Sequence, residues 1–350
     1  MKILTVIGAR PQFIKAAAVS NVLRKEHQEI LVHTGQHSDD NMSKIFFDEL
    51  EIPKPDYNLD IGSGNHGHQT GSMLIKLEEL YLKEKPDLVL VYGDTNSTLA
   101  GALCASKLLI PVAHVEAGLR SFNMNMPEEQ NRILTDHLSK FLFIPTLSAQ
   151  NNLQHEGITK GVYNIGDVMY DGILHFKEIA NKKSSIISKL KLNDKEFFLC
   201  TIHRAENTNS IERLGSIISA LNDSGEKCIL PLHPRTKSYI KDYGLKFSDN
   251  IEIIEPLGYL DMIQLEMHCK KIITDSGGVQ KEAFFMGKPC ITLRDETEWI
   301  ETVENGWNII VGTNKEKIID AIREFSPSRK QDNIFGDGDA STKILNIINK

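Results

Sequence analysis

The residues able to do chemistry stand just after short apolar runs. The run Asp87–Val91 is followed by Tyr92-Gly93-Asp94, and Val112–Val115 by Glu116-Ala117-Gly118. Pro127-Glu128-Glu129 and Arg132 come soon after. An Asp after a strand can cap a helix. Glu116, set between His-Val and Ala-Gly, is poorly placed to cap, which points to partial burial. Asp94, Glu116 and Glu128 are therefore candidates for paired acid–base work. Crowding is expected to raise the pKa of at least one of them.

Basic and glycine-rich segments follow other runs. The first ends in Gly8-Ala9-Arg10-Pro11, with Lys15 a turn later. The GxGxxG fingerprint is missing, so no dinucleotide cofactor is expected. An Arg and a Pro at a helix start suit an anion. Further along are His203-Arg204-Ala205-Glu206-Asn207, His233-Pro234-Arg235 and Asp275-Ser276-Gly277-Gly278. Ser-Gly-Gly opening a helix presents backbone N–H groups to a phosphate. Glu282, a turn or so later, can accept from two ribose hydroxyls. Together these describe a nucleoside-diphosphate site. His66-Gly67-His68 reads as a mobile loop rather than a metal site, because it lacks a third ligand. No HExxH, GxSxG or GxxxxGK[ST] is present.

The elements that must hold these residues alternate. Strands are expected at 3–7, 29–34, 87–91, 112–115 and 141–144. A second series runs over 197–202, 228–232, 251–254, 271–274, 290–293 and 308–311. Helices are expected between them, among them 11–24, 41–50, 68–83, 95–107 and 132–138. Unbroken apolar strands joined by helices mean parallel sheets covered on both faces, an α/β class with two doubly wound domains. Ligands in such sheets bind beyond the carboxyl ends of the strands. The hinge is expected near 166–171.

Length and composition agree. The 350 residues suit two domains. The 40 Lys and Arg against 47 Asp and Glu give −7, unlike a nucleic-acid-binding chain. Five scattered cysteines imply neither disulfides nor a zinc knuckle and suit a cytoplasmic protein. Neither a membrane span nor a targeting segment is expected.

GARPQFIK (8–15), TGQH (34–37), YGDTNSTLAGAL (92–103), AHVEAGLRS (113–121), MPEEQNR (126–132), IHRAEN (202–207), LHPRT (232–236), TDSGGVQKEA (274–283) and RDETEW (294–299) run in order along the chain. In this combination the chain resembles the non-hydrolysing UDP-N-acetylglucosamine 2-epimerases. The resemblance implies two Rossmann-like domains of the GT-B type with the active site in a cleft. They would span 1–166, completed by a C-terminal helix over 338–350, and 167–337. It also implies a homodimer and no cofactor or metal. Gln12 and Asp167-Val168-Met169 depart from the common family pattern. The combination ARPQFIKA, GDVMYD, IHRAEN and DETEW looks closer to the branch acting on UDP-2,3-diacetamido-2,3-dideoxyglucuronate, and many simple UDP-N-acetylglucosamine epimerases resemble this pattern too.

The implied reaction is anti elimination of UDP across C1–C2 to a glycal, then re-addition with protonation from the other face. Asp94, Glu116, Glu128 and His203 are the implied proton-transfer set. Arg10, Lys15, Gln36, His37 and Arg132 are the substrate-binding candidates of the first half. Those of the second half are Arg204, Glu206, Asn207 and His233, the Ser276-Gly277-Gly278 cradle, and Glu282, Arg294 and Asp295. A GT-B glycosyltransferase, a UDP-sugar sensor and a hydrolysing relative are the alternatives.

Overall fold

The computed structural model describes residues 1–36 and 53–350, and Arg10 by its backbone alone. His37 and the helix expected at 41–50 lie outside the described residues. The chain forms two compact units, Met1–His175 with Asn333–Lys350, and Phe176–Asp332. The boundary falls inside the helix Val168–Lys183.

The first unit holds a seven-stranded sheet in the order β3-β2-β1-β4-β5-β6-β7. Its strands are β1 Lys2–Ile7, β2 Gln28–His33, β3 Tyr57–Asn58, β4 Leu88–Tyr92, β5 Val112–Val115, β6 Phe141–Ile144 and β7 Val162–Asn164. The second holds six in the order β10-β9-β8-β11-β12-β13. These are β8 Phe198–Thr201, β9 Cys228–Pro231, β10 Ile251–Ile254, β11 Ile272–Thr274, β12 Cys290–Thr292 and β13 Asn308–Ile310. Every described pairing is parallel. Side chains on both faces are buried, as in Ile3-Leu4 of β1 and Leu88–Tyr92 of β4, because helices cover both sides.

Strand order reverses between β1 and β4 in one sheet and between β8 and β11 in the other. Loops leaving such neighbours turn to opposite faces and open a crevice at the strand ends. The segments after β4 and β5 carry Asp94 and Glu116; those after β8 and β11 carry His203 and the Ser-Gly-Gly cradle.

Two of the expected segments take a different form in the structure. The helix expected at 132–138 begins at Pro127, whose fixed φ suits a first turn. His66 opens the helix His66–Glu84 instead of lying in a mobile loop, and its Nδ1 is 3.1 Å from Asn96 Nδ2. The helix Ala340–Ile348 belongs to the first unit, where Asp171 accepts from Ala340 N and Ser341 N, and Glu26 from Asn349 Nδ2.

Candidate functional site

In the first unit the turn after β5 places Glu116 at φ +70°, the left-handed region, held by bonds from Glu116 N and Ala117 N to Phe143 O. That conformation costs a non-glycine residue about 1–3 kcal/mol and persists only when neighbours enforce it. It aims the carboxylate at Lys15, one turn into the helix Arg10–Leu23. Glu116 Oε2 and Lys15 Nζ form an ion pair, and both side chains are only 9% exposed. The pair sits over the β4 turn: a Cβ on Gly93 would lie 3.3 Å from Glu116 Oε2 and 3.5 Å from Lys15 Nζ.

Asp94 follows that glycine and pairs with Arg132 Nη2 at 2.5 Å. Arg132 also bonds the buried Glu129 at 2.6 Å. Glu129 accepts from the Ser121 and Phe122 amides and so fixes the loop after Glu116. Burial by itself would raise the Glu129 carboxyl. The Ser121 amide, Arg132 and the Phe122 amide outweigh it and hold the group below the ordinary glutamate range. Glu128, one residue earlier on the helix, is exposed. Glu116 and Asp94 thus each face a cation, Lys15 and Arg132 respectively.

Gln36 and Gln12 tie strand ends together. Gln36 Oε1 accepts from Ser97 N and Oγ, joining the segment after β2 to that after β4. Gln12 accepts from Gly8 N and Ala9 N and donates to Tyr92 O. A glutamate could not make that last bond, because it has no hydrogen to give. Beneath them His114 bridges Asp136 Oδ1 and Gly93 O, each at 2.7 Å. Gly93 O can only accept, so Nε2 carries the hydrogen. Asp136 is fully buried, yet His114 and Arg120 hold its carboxyl below the aspartate range against the opposing effect of burial.

In the second unit Asp275, at the end of β11, organises the loop after β8. It accepts from His203 N, Arg204 N and Asn207 Nδ2 at 3.0–3.1 Å. His203 Nδ1 lies 3.1 Å from Asp275 Oδ1, while its side chain stays 52% exposed. Burial would raise the Asp275 carboxyl; the His203, Arg204 and Asn207 bonds prevail and keep it low. Asn207 is wholly buried and spends its amide on Asp275 and Leu293 O.

Ser276 caps the helix Gly277–Phe285, with Gly277 and Gly278 in its first turn. Glu298 lies against this turn, since a Cβ on Gly277 would be 2.3 Å from Glu298 Oε1. Arg294 bonds Glu298 at 2.7 Å, and Arg204 Nη2 is 3.9 Å away. His233 is exposed and caps the helix Pro234–Asp242. Glu206 and Asp295 both pair with Arg213. Glu282 is 6% exposed and accepts from the Tyr259 hydroxyl at 2.9 Å. Among the described residues no cluster of three His, Cys, Asp or Glu could hold a metal.

The sequence reading missed Glu129, Asp136, Asp275 and Glu298. Glu129, Arg132 and Asp136 recur at helical spacing, so a buried polar stripe was visible in principle. Asp275 and Glu298 carry no such signal, because their partners come from distant strand ends.

A family model described as UDP-N-acetylglucosamine 2-epimerase matches residues 21–349. The chain belongs to that family. It is therefore an epimerase, an isomerase by class. It is 58% identical over 354 residues, 99% of each chain, to a UDP-N-acetylglucosamine 2-epimerase homolog of Methanococcus maripaludis. It is 52% identical over the full length of both chains to the UDP-2,3-diacetamido-2,3-dideoxy-D-glucuronate 2-epimerase of Pseudomonas aeruginosa. The solved UDP-GlcNAc 2-epimerase of Methanocaldococcus jannaschii, in complex with UDP-GlcNAc and UDP, superposes with a TM-score of 0.91 at 48% identity. That match covers 100% of this chain and 99% of the other, and the GT-B type fold expected from the motifs is the fold of this epimerase.

Proposed function

We propose that the protein inverts C2 of a UDP-linked N-acetylamino sugar, in first place interconverting UDP-N-acetylglucosamine and UDP-N-acetylmannosamine. The observation that carries this reading is the Lys15–Glu116 pair on the Gly93 turn, a carboxylate set against a cation in a strained, part-buried position. Such a group suits proton transfer at a carbon that no carbonyl acidifies. The base takes the C2 proton as the C1–O bond breaks, and the electron pair leaves with UDP. The glycal then takes a proton on its other face while UDP adds back. Glu116, Asp94, Glu128 and His203 share the proton work. Arg10, Arg204, His233 and the Ser276–Gly278 turn hold the diphosphate, whose charge grows as the bond breaks.

A second substrate, UDP-2,3-diacetamido-2,3-dideoxy-D-glucuronate, is favoured by the 52% identity to its Pseudomonas epimerase. The same reading carries expectations of a homodimer and of a supply step for surface polysaccharide. NMR with each UDP-sugar in heavy water tests the reaction. The expected result is C2 inversion with deuterium at C2. Inversion without label would refute elimination. UDP release that needs an acceptor would make the protein a glycosyltransferase, and binding without turnover a sensor.

A further inference from the structure

His114, in β5, is wholly buried, and each of its ring nitrogens meets an oxygen at 2.7 Å. Nε2 faces the Gly93 carbonyl and Nδ1 faces Asp136 Oδ1. A carbonyl and a carboxylate only accept, so an ionised Asp136 requires a hydrogen on both nitrogens. Two grounds make Asp136 the ionised partner. Its other oxygen accepts from Gly118 N at 3.1 Å and from the Arg120 guanidinium at 2.7 Å, and such donors favour the charged form. A carboxylate also holds a proton less tightly than an imidazole does, with ordinary values of about 3.9 for Asp against about 6.5 for His. The proton between them therefore sits on His114. Glu156 accepts two further bonds from Arg120, at 2.6 and 2.7 Å. Charges thus alternate and cancel along the row His114, Asp136, Arg120 and Glu156. The row ends under the turn after β4. Gly93 N donates to Val115 O and Gly93 O accepts from His114, so both polar backbone atoms of Gly93 are fixed to β5. Asp94 follows this residue, and the Lys15–Glu116 pair lies over it.

We propose that His114 is a positioning residue: a buried imidazolium, held by Asp136, that fixes the Gly93 carbonyl and with it the turn that presents Asp94 and seats the Lys15–Glu116 pair. The proposal rests on the reading of Asp94 and Glu116 as proton-transfer groups. Both ring hydrogens of His114 are engaged by protein atoms, so it acts through the turn and not on the sugar. Without it, Gly93 O would be buried with no donor from β5, and the turn would be free to shift both carboxylates.

Nitrogen-15 NMR of the histidine rings at neutral pH tests this, with kcat and UDP affinity measured on the same proteins. The parent should show a histidine with hydrogen on both ring nitrogens, sheltered from exchange with water, and His114→Leu should lose those signals. Asp136→Asn should keep only the Nε2 hydrogen, because its amide can donate to Nδ1. His114→Leu should lower kcat about 10²-fold, the scale of a catalytic group displaced by about 1 Å, with UDP affinity within about threefold of the parent's. The double variant His114→Gln with Asp136→Asn rebuilds the row from neutral amides, one donating to the next and the last to Gly93 O. It should recover about tenfold of the lost kcat. A parent without the doubly protonated ring overturns the proposal. So does a folded His114→Leu with parental kcat, or one whose UDP affinity falls as far as its kcat, the mark of general disruption. A folded double variant no faster than His114→Leu overturns it too. If His114→Leu does not fold, the spectra of the parent and Asp136→Asn still decide. A parent that shows the doubly protonated ring yet inverts no UDP-sugar has a different meaning: it removes the C2 reading, and the role of His114 in turnover with it.

Discussion

Replacing Lys15 by Met removes a cation while keeping most of the side-chain volume. Glu116 then has two options. It can stay charged with the Lys15 cation gone, and breaking a buried pair costs about 3–5 kcal/mol. It can instead take up a proton, which for an ordinary glutamate at pH 7 costs about 3.7 kcal/mol. Moving away is hindered, because its left-handed turn is tied to Phe143 O by two bonds of 3.0 and 3.1 Å. The two costs are close, so the charge on Glu116 is no longer secured at neutral pH. If that charge does the chemistry, kcat should fall by about 10²–10⁴-fold at neutral pH. The loss should shrink as pH rises, because the variant's Glu116 carboxyl is raised and its ionised form returns only above that value. Deuterium incorporation at C2, followed by NMR from mildly acid to alkaline pH, reads both effects. Urea unfolding of Lys15→Met, Glu116→Gln and the double variant completes the cycle. The double variant, with a neutral pair, should recover most of the stability lost by Lys15→Met. Parental rates with a flat pH profile in Lys15→Met would refute the reasoning.

Asp275→Asn keeps an acceptor for the loop amides but removes the charge that orients His203. kcat should fall by about 10²-fold or more while UDP affinity stays close to the parent's, and an unchanged kcat would mean that His203 works unaided. Asp136 and Asp275 have folded-state pKa values below the ordinary one. Their contribution to stability is therefore complete above the unfolded aspartate value of about 3.9 and is lost as pH falls through the lower folded values. Thermal melts should hold steady down to about pH 4 on that basis and drop below it. Asp136→Asn should melt lower at neutral pH and lose less on acidification, and an equal acid loss in both proteins would count against the assignment.

The amino-acid sequence determined the elements and their class. Apolar runs such as Leu88–Tyr92 and Val112–Val115 can only be strands covered on both faces, and this follows from local hydrophobicity. It also determined where to look, because polar residues that end such runs stand at the carboxyl edge of a parallel sheet. The two-residue β3 and the three-residue β7 were not legible: runs so short carry no periodicity, and they pair only because a neighbouring edge is available. Tertiary structure alone decided the partners. Lys15 meets Glu116 across 101 positions because β1 and β5 flank β4 and the left-handed turn aims the carboxylate back. Glu128 and Glu129 are adjacent and chemically equal, yet successive helix positions point about 100° apart, so one faces solvent and the other is buried beneath a loop. Asp275 reaches His203 for the same reason: strand order brings β8 and β11 side by side, and no local pattern records that choice.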